Sequence, residues 1–243
     1  MISVGYFCTG GYTEIGSIQG FLERINKNIK FVRCFPIANK VCLKRGRMAS
    51  TPVRSQNGIT GDNLVNEMKQ KLIHLDSKLF DLFLLIDDMD CRFKKDGAPS
   101  FDEWVRDLKQ QISAIIGTEV SFEALLASPE IEAWFLADWN NTFASEYRYI
   151  KDHLRYLISK SDIDEFIDNI EEYGGTYLNG SCSIKLSNRI QEILLSESTP
   201  RNQYLYSKRI HGVGMLARLA PENVAERCRL YFAPVYRRLL ELR

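Results

Sequence analysis

A chain of 243 residues is long enough for one large domain, or for one domain with an appendage. A net charge of +1 excludes a global basic field, so any binding of nucleic acid needs a local patch. With 45% apolar and 26% charged residues the balance is that of a globular chain, and no apolar run reaches the length of a membrane span.

Met1 leads straight into Ile2–Phe7 without a basic leader region, and the expectation is a cytoplasmic protein that avoids membranes. Six cysteines (Cys8, Cys34, Cys42, Cys91, Cys182, Cys228) are scattered with no C-x-x-C pair, which reads as reduced thiols, several of them filling the core. There is no Walker phosphate loop and no internal repeat.

In chain order, Ile2–Cys8 is β-branched and aromatic and predicts a strand, closed by Thr9-Gly10-Gly11. Thr13–Ile25 carries Ile15, Ile18, Phe21, Leu22 and Ile25 at helical spacing, with Glu14 in the first turn at the positive end of the dipole. Asn28–Phe35 predicts a second strand, stopped by Pro36. Lys40–Gly61 has little apolar period and gathers Lys40, Lys44, Arg45, Arg47 and Arg54, so it reads as a long, mobile basic loop. Such a loop grips a phosphate backbone or is simply a solvated face, and the pattern leaves both open. Asp62–Leu75 is helical.

Next comes Leu82-Phe83-Leu84-Leu85-Ile86, five apolar residues suited to a strand buried on both faces, ending in Asp87-Asp88-Met89-Asp90. The acids therefore fall at the carboxyl edge of a sheet, where open α/β folds place ligands. Asp88 and Asp90, with Asp87 beside them, can offer oxygens to one hard cation such as Mg²⁺ (or Mn²⁺), which needs only one or two protein carboxylates. The competing reading is an Asp-rich turn with hydrated acids.

A polar loop, Phe93–Ser100, leads to Ser100 and Glu103, a capping-box match for a helix reaching about Ile116. Glu119–Ala127 predicts another strand, and Pro129 sits where a helix to Trp139 would begin. From about Asn140 the pattern turns helical: Ser145–Ile158, Asp162–Tyr173, Ile184–Leu195, Gly212–Ala220 and Glu222–Leu242. Gly174–Gly180 reads as a flexible turn, Pro221 opens the last helix, and Pro234 kinks or divides it. The alternation predicts an α/β fold with a mostly parallel sheet of about four strands flanked by helices, over residues 1–140. Residues 141–243 form an all-helical cap packed on it. The pattern sets no oligomeric state; an oligomer is compatible with it.

Three stretches stand together: Gly10-Gly11-Tyr12-Thr13-Glu14, Asp88-Met89-Asp90, and Pro129-Glu130-Ile131-Glu132-Ala133-Trp134-Phe135-Leu136-Ala137-Asp138. The set resembles a Toprim-like bacterial family, domain of unknown function family 4276, related to the Toprim domains of topoisomerases, primases and overcoming-lysogenization-type nucleases. Its pattern runs roughly Glu-Gly-x-Thr-Glu, Asp-x-Asp, then a Glu-Ala-Trp-Leu-Leu-Ala-Asp helix, and Tyr206-Ser207-Lys208 with Gly212, then Arg227-Cys228 and Phe232, are similar to its closing segment. The resemblance covers most of the chain in the right order, and its most specific piece is Glu132–Asp138.

The resemblance implies a Toprim-type fold and Mg²⁺-dependent phosphodiester hydrolysis, with Asp88 and Asp90 on the metal and a glutamate after the first strand moving the proton. It further implies a phage-defence setting beside an ABC-type ATPase. Here Gly10 stands where that glutamate is expected. Either Glu14 or Glu132 takes over as the catalytic acid or base, or the chain is a degenerate adaptor that binds an ATPase or effector without cutting. The Lys40–Arg54 loop then holds nucleic acid, and Lys208 contacts a phosphate or a site carboxylate, unless it is an ordinary surface lysine. His74, His153 and His211 show no zinc or triad spacing, and Trp134 and Trp139 read as core.

Overall fold

The computed structural model describes the chain apart from residues 10, 37–39, 43–47, 51–57, 94–96, 175–176, 179–180, 183–184, 197, 199–203 and 243. At 12–15, 40–42, 48–50, 177–178 and 181–182 it describes backbone alone.

The central sheet takes the strands β1 (Ile2–Cys8) and β2 (Ile29–Phe35), joined by α1 (Tyr12–Ile25). A small hairpin, β3 (Lys40–Cys42) with β4 (Met48–Ser50), precedes α2 (Gly61–His74). Then follow β5 (Leu82–Asp88), α3 (Phe101–Ile116) and β6 (Ser121–Ala127). The order across the sheet is β2-β1-β5-β6 and every pairing is parallel. All four strands therefore end at one edge, at Cys8, Phe35, Asp88 and Ala127.

β5 explains why the sheet is covered twice. Leu82, Leu84 and Ile86 pack into one apolar cluster with Ile18, Phe21 and Leu22 of α1. Phe83 and Leu85 pack into another with Met68 of α2 and Ile112 of α3. Successive strand residues face opposite sides, so a continuous apolar run needs a cover on each.

Beyond β6 the chain is mainly helical: α4 (Glu132–Ala137), α5 (Phe143–Glu146), α6 (Lys151–Ile158), the hairpin β7 (Tyr177–Leu178) with β8 (Ser181–Cys182), α7 (Leu186–Ser196), α8 (Val213–Arg218), α9 (Pro221–Arg227) and α10 (Phe232–Glu241). Trp134 of α4, fully buried, stacks on Phe21 with centroids 5.5 Å apart and meets Phe232 of α10 edge-on at 5.0 Å. One aromatic knot thus ties α1, α4 and α10 into the cluster below the sheet. Cutting such a ring back to alanine costs about 3–5 kcal/mol.

Several elements differ from the sequence reading. Residues 40–61, read as loop, include the β3–β4 hairpin. Pro129 does not open a helix: the Ser128–Pro129 peptide is cis and α4 starts only at Glu132. The stretch 162–173 forms two 3₁₀ turns, Asp164–Phe166 and Ile170–Glu172, because Asn169 leaves the helical region between them. The 145–158 helix is divided into α5 and α6, and the helix expected from Glu222 breaks at Cys228–Tyr231. Pro234 falls in the first turn of α10, where a missing donor costs nothing, so it neither kinks nor divides the helix. Cys8, Cys34 and Cys228 are buried and take part in no disulfide, but Cys91 is disulfide-bonded, which overturns the expectation of six reduced thiols. Among the described residues no helix is long and apolar enough to cross a membrane.

One buried acid braces the sheet edge. The Glu171 carboxylate accepts the backbone N–H groups of Leu230, Tyr231 and Phe232 at the start of α10. Its carbonyl accepts the Ser128 hydroxyl at 2.8 Å. The exit of β6 is thereby pinned to the C-terminal helices.

Candidate active site: a carboxylate cluster around Lys208

The loops leaving β5 and β6 continue to pair past the strand ends. Met89 N–H donates to the Ala127 carbonyl at 2.8 Å, and Asp90 N–H to the Pro129 carbonyl at 2.7 Å. This zipper sets Asp88 and Asp90 beside Glu130 and Glu132. Asp90 has φ +48°, a left-handed conformation that Asp tolerates better than most residues.

Strand alternation separates the two adjacent aspartates. Asp88 falls on the side of Leu82, Leu84 and Ile86, toward the C-terminal helices. Its Oδ1 accepts the Ile131 N–H at 2.9 Å and its Oδ2 lies 3.3 Å from Lys208 Nζ. Asp87 falls on the opposite side, with α2 and α3. Its Oδ2 accepts the Gly61 N–H at 2.8 Å and pairs with Arg92 at 2.7 Å, while the Arg92 guanidinium lies over the Trp104 ring at 4.9 Å. Burial pushes the Asp87 carboxyl up to about 6, against the pull of Arg92. Contrary to the grouping expected from sequence, Asp87 does not join Asp88 and Asp90: it is a buried brace for the start of α2.

Lys208 is the focus of the cluster. It opens a π-helical turn, Lys208–Gly212, a distortion common at functional sites. Its ammonium lies 3.0 Å from Glu130 Oε1 and 3.0 Å from Glu132 Oε2, besides its contact with Asp88. Glu130 also takes the Ser187 N–H and hydroxyl on Oε2, each at 2.9 Å. Glu132 is fully buried and accepts the Tyr206 hydroxyl on Oε1 at 2.6 Å. Its Oε2 meets Lys208 as an ion pair but lacks an aligned hydrogen-bond donor. At the rim, Lys185 pairs with Asp90 at 3.0 Å and reaches Glu130 at 4.0 Å.

Burial pushes Asp88 up against the pull of Lys208, and it pushes Glu132 up to about 7. Glu130 is buried too, yet Lys208 and the Ser187 donors hold its carboxyl below the ordinary value. Burial alone would lower Lys208; the surrounding carboxylates overcome it and keep the ammonium charged. Four carboxyls thus face two ammonium groups, and the cluster carries excess negative charge whenever Glu132 is ionised. Shifted protonation at a sheet edge is a feature of functional sites, and one that structural ion-pair networks share.

Of the residues nominated from sequence, the fold unites Asp88, Asp90, Glu132 and Lys208. Glu14 lies in the first turn of α1 and Lys40 on β3, with side chains outside the described part; Lys44, Arg45, Arg47 and Arg54 lie outside the described residues. Glu130, Lys185, Ser187 and Tyr206 were not nominated. Glu130 stood two positions before Glu132 and Tyr206 two before Lys208, so both were adjacent to the signal; Lys185 and Ser187 carried none. Asp138, last residue of the most specific motif, is structural: it accepts the Ala220 N–H at 2.7 Å and the side-chain amides of Asn141 and Asn223. Comparison with protein-family models, curated proteins and solved structures finds no match to this chain.

Proposed function

We propose that this cluster is the active site of a Mg²⁺- or Mn²⁺-dependent, Toprim-like nuclease. The resemblance extends the proposal to a cytoplasmic subunit of an anti-phage defence system, partnered by an ABC-type ATPase. The observation that carries the reading is the surplus of carboxylates, drawn from the ends of β5 and β6 to surround the half-buried Lys208 ammonium.

The donors bear directly on whether a cation fits. Among the described residues no three His, Cys, Asp or Glu side chains converge as a metal cage. An all-oxygen donor set does suit Mg²⁺, which takes one or two carboxylates and keeps its waters. Asp88, with Asp90 or Glu130, would hold it. Bound there, it would supply polarisation of a phosphoryl oxygen and neutralise developing charge.

The remaining chemistry belongs to the chain. Glu132, poised near neutral pH, can hold or release a proton at the oxygen facing Lys208 while Tyr206 holds its other oxygen in place. Lys208 and Lys185, whose side chains keep 35% and 42% of their surface exposed, present ammonium groups to phosphate oxygens.

The test is incubation of the purified chain, with and without its ATPase neighbour, with DNA and RNA in Mg²⁺. The expected result is cleavage that falls at least about 100-fold in Asp88→Asn and in Glu130→Gln, the scale of losing one preorganised group. Equal cleavage by wild type and variants would overturn it. A second reading, a non-cutting adaptor, draws on Gly10 and on the fact that nearly every carboxylate oxygen of the cluster already meets a protein donor. It predicts co-purification with the ATPase that Asp88→Asn leaves intact, and no cleavage.

A further inference from the structure

The chain's near-zero net charge demands a local patch if a polyanion is to bind, and the described residues contain one away from the cluster. Residues 148–160 carry Arg148, Lys151, Arg155 and Lys160 against the single acid Asp152. Two large rings on this stretch stand in solvent instead of the core: Tyr149 is 88% exposed and Tyr156 56%. Each has a cation on its face, Arg148 over Tyr149 at 5.0 Å and Lys160 over Tyr156 at 5.7 Å. His153 stacks on Tyr156 with centroids 6.4 Å apart and planes 22° off parallel.

These residues sit on α6 and on the turns that flank it. Within α6, at about 100° per residue, His153 and Tyr156 fall within roughly 60° of one another, while Tyr149 stands in the turn before the helix and Lys160 in the turn after it. Leu154 and Ile158, the buried residues of α6, point the other way. A stripe of rings exposed with cations above them burdens solubility and contributes little to folding, since each ring remains wet. It has the two components of a single-strand platform: π-faces on which successive bases stack, and cations that track the phosphates. Position supports the same occupant. α6 packs against α7, and α7 begins at the segment whose Lys185 and Ser187 line the carboxylate cluster. One helix separates stripe from site.

We infer that the Tyr149–Lys160 stripe, formed by α6 and its flanking turns, binds single-stranded nucleic acid and feeds it past α7 to the carboxylate cluster. This rests on the nuclease reading and names its substrate class.

The probe is a fluorescein-labelled oligothymidine of about 20 nucleotides, longer than the roughly 4–16 that comparable platforms cover. Anisotropy is read on the full chain in EDTA, so that nothing is cut. Tyr149→Ala with Tyr156→Ala is expected to weaken binding about tenfold or more at unchanged melting temperature, because both rings are exposed. Tyr149→Phe with Tyr156→Phe keeps the π-faces and is expected to bind as wild type. Lys160→Glu is expected to flatten the salt dependence. Wild type and the alanine pair binding equally, or wild type preferring the matching duplex, overturns the stripe and leaves the nuclease reading standing. No binding of oligothymidine or oligouridine by wild type overturns the stripe and counts against the nuclease reading as well.

Discussion

Lys208→Met lowers the unfolding midpoint in divalent-free buffer by about 4–8 °C, and Mn²⁺ recovers most of that loss. The substitution removes the cation between Asp88, Glu130 and Glu132 while keeping an unbranched apolar stem one atom shorter. Breaking a fully buried ion pair costs roughly 3–5 kcal/mol. Lys208 keeps 35% of its side-chain surface in solvent, and Glu132 escapes charge by holding a proton, so about 2 kcal/mol is expected. In a chain of this size each kcal/mol moves the midpoint by roughly 2–4 °C. A cation present at about 100 times its Kd contributes about 2.7 kcal/mol, enough to offset the loss. Thermal scans in EDTA and then in Mn²⁺ read both effects. A fall that Mn²⁺ leaves untouched would mean the acids form an ion-pair network only, and the adaptor reading would gain.

Glu132→Gln removes a pH dependence that wild type carries between the ordinary glutamate value of 4.5 and about 7. The sign follows from which state holds the proton. Burial raises the folded-state pKa, so between those values the folded chain is protonated at Glu132 and the unfolded chain is not. Protonation therefore favours folding, and this contribution is complete below 4.5 and lost as pH climbs through 7. Gln mimics the neutral acid and keeps an oxygen for the Tyr206 hydroxyl. The variant is expected to equal wild type near pH 4.5 and to exceed it by about 3 kcal/mol near pH 8. Denaturant unfolding at both ends of the range measures the difference. A difference that stays flat with pH would show that folding leaves the Glu132 proton alone.

Much of the scaffold was legible because its signals are local. The Leu82–Ile86 run demanded covers on both faces, and it has them. Ser100 and Glu103 form the reciprocal cap their spacing announced. The misread stretches depend on tertiary partners instead. Glu171 takes over the N-terminus of α10, so the chain breaks at Cys228–Tyr231 and Pro234 is harmless.

The site divides along the same line. Asp88, Asp90 and Glu132 were visible as acids in two short motifs. Period-two alternation, applied one step further along β5, would have sent Asp87 to the opposite face. Lys185 and Ser187 reach the cluster only because α7 folds back on it, across more than fifty residues from Glu130, and nothing in their neighbours shows that.

The central claim is that the clustered acids at the ends of β5 and β6 are a divalent-cation site. Calorimetric titration of Mn²⁺ into the metal-free protein tests it without needing a substrate. The account predicts saturable heat in wild type, tighter binding in Lys208→Met, and none once Asp88→Asn and Asp90→Asn are combined. Absence of heat in both wild type and Lys208→Met, with neither melting temperature moved, would contradict it.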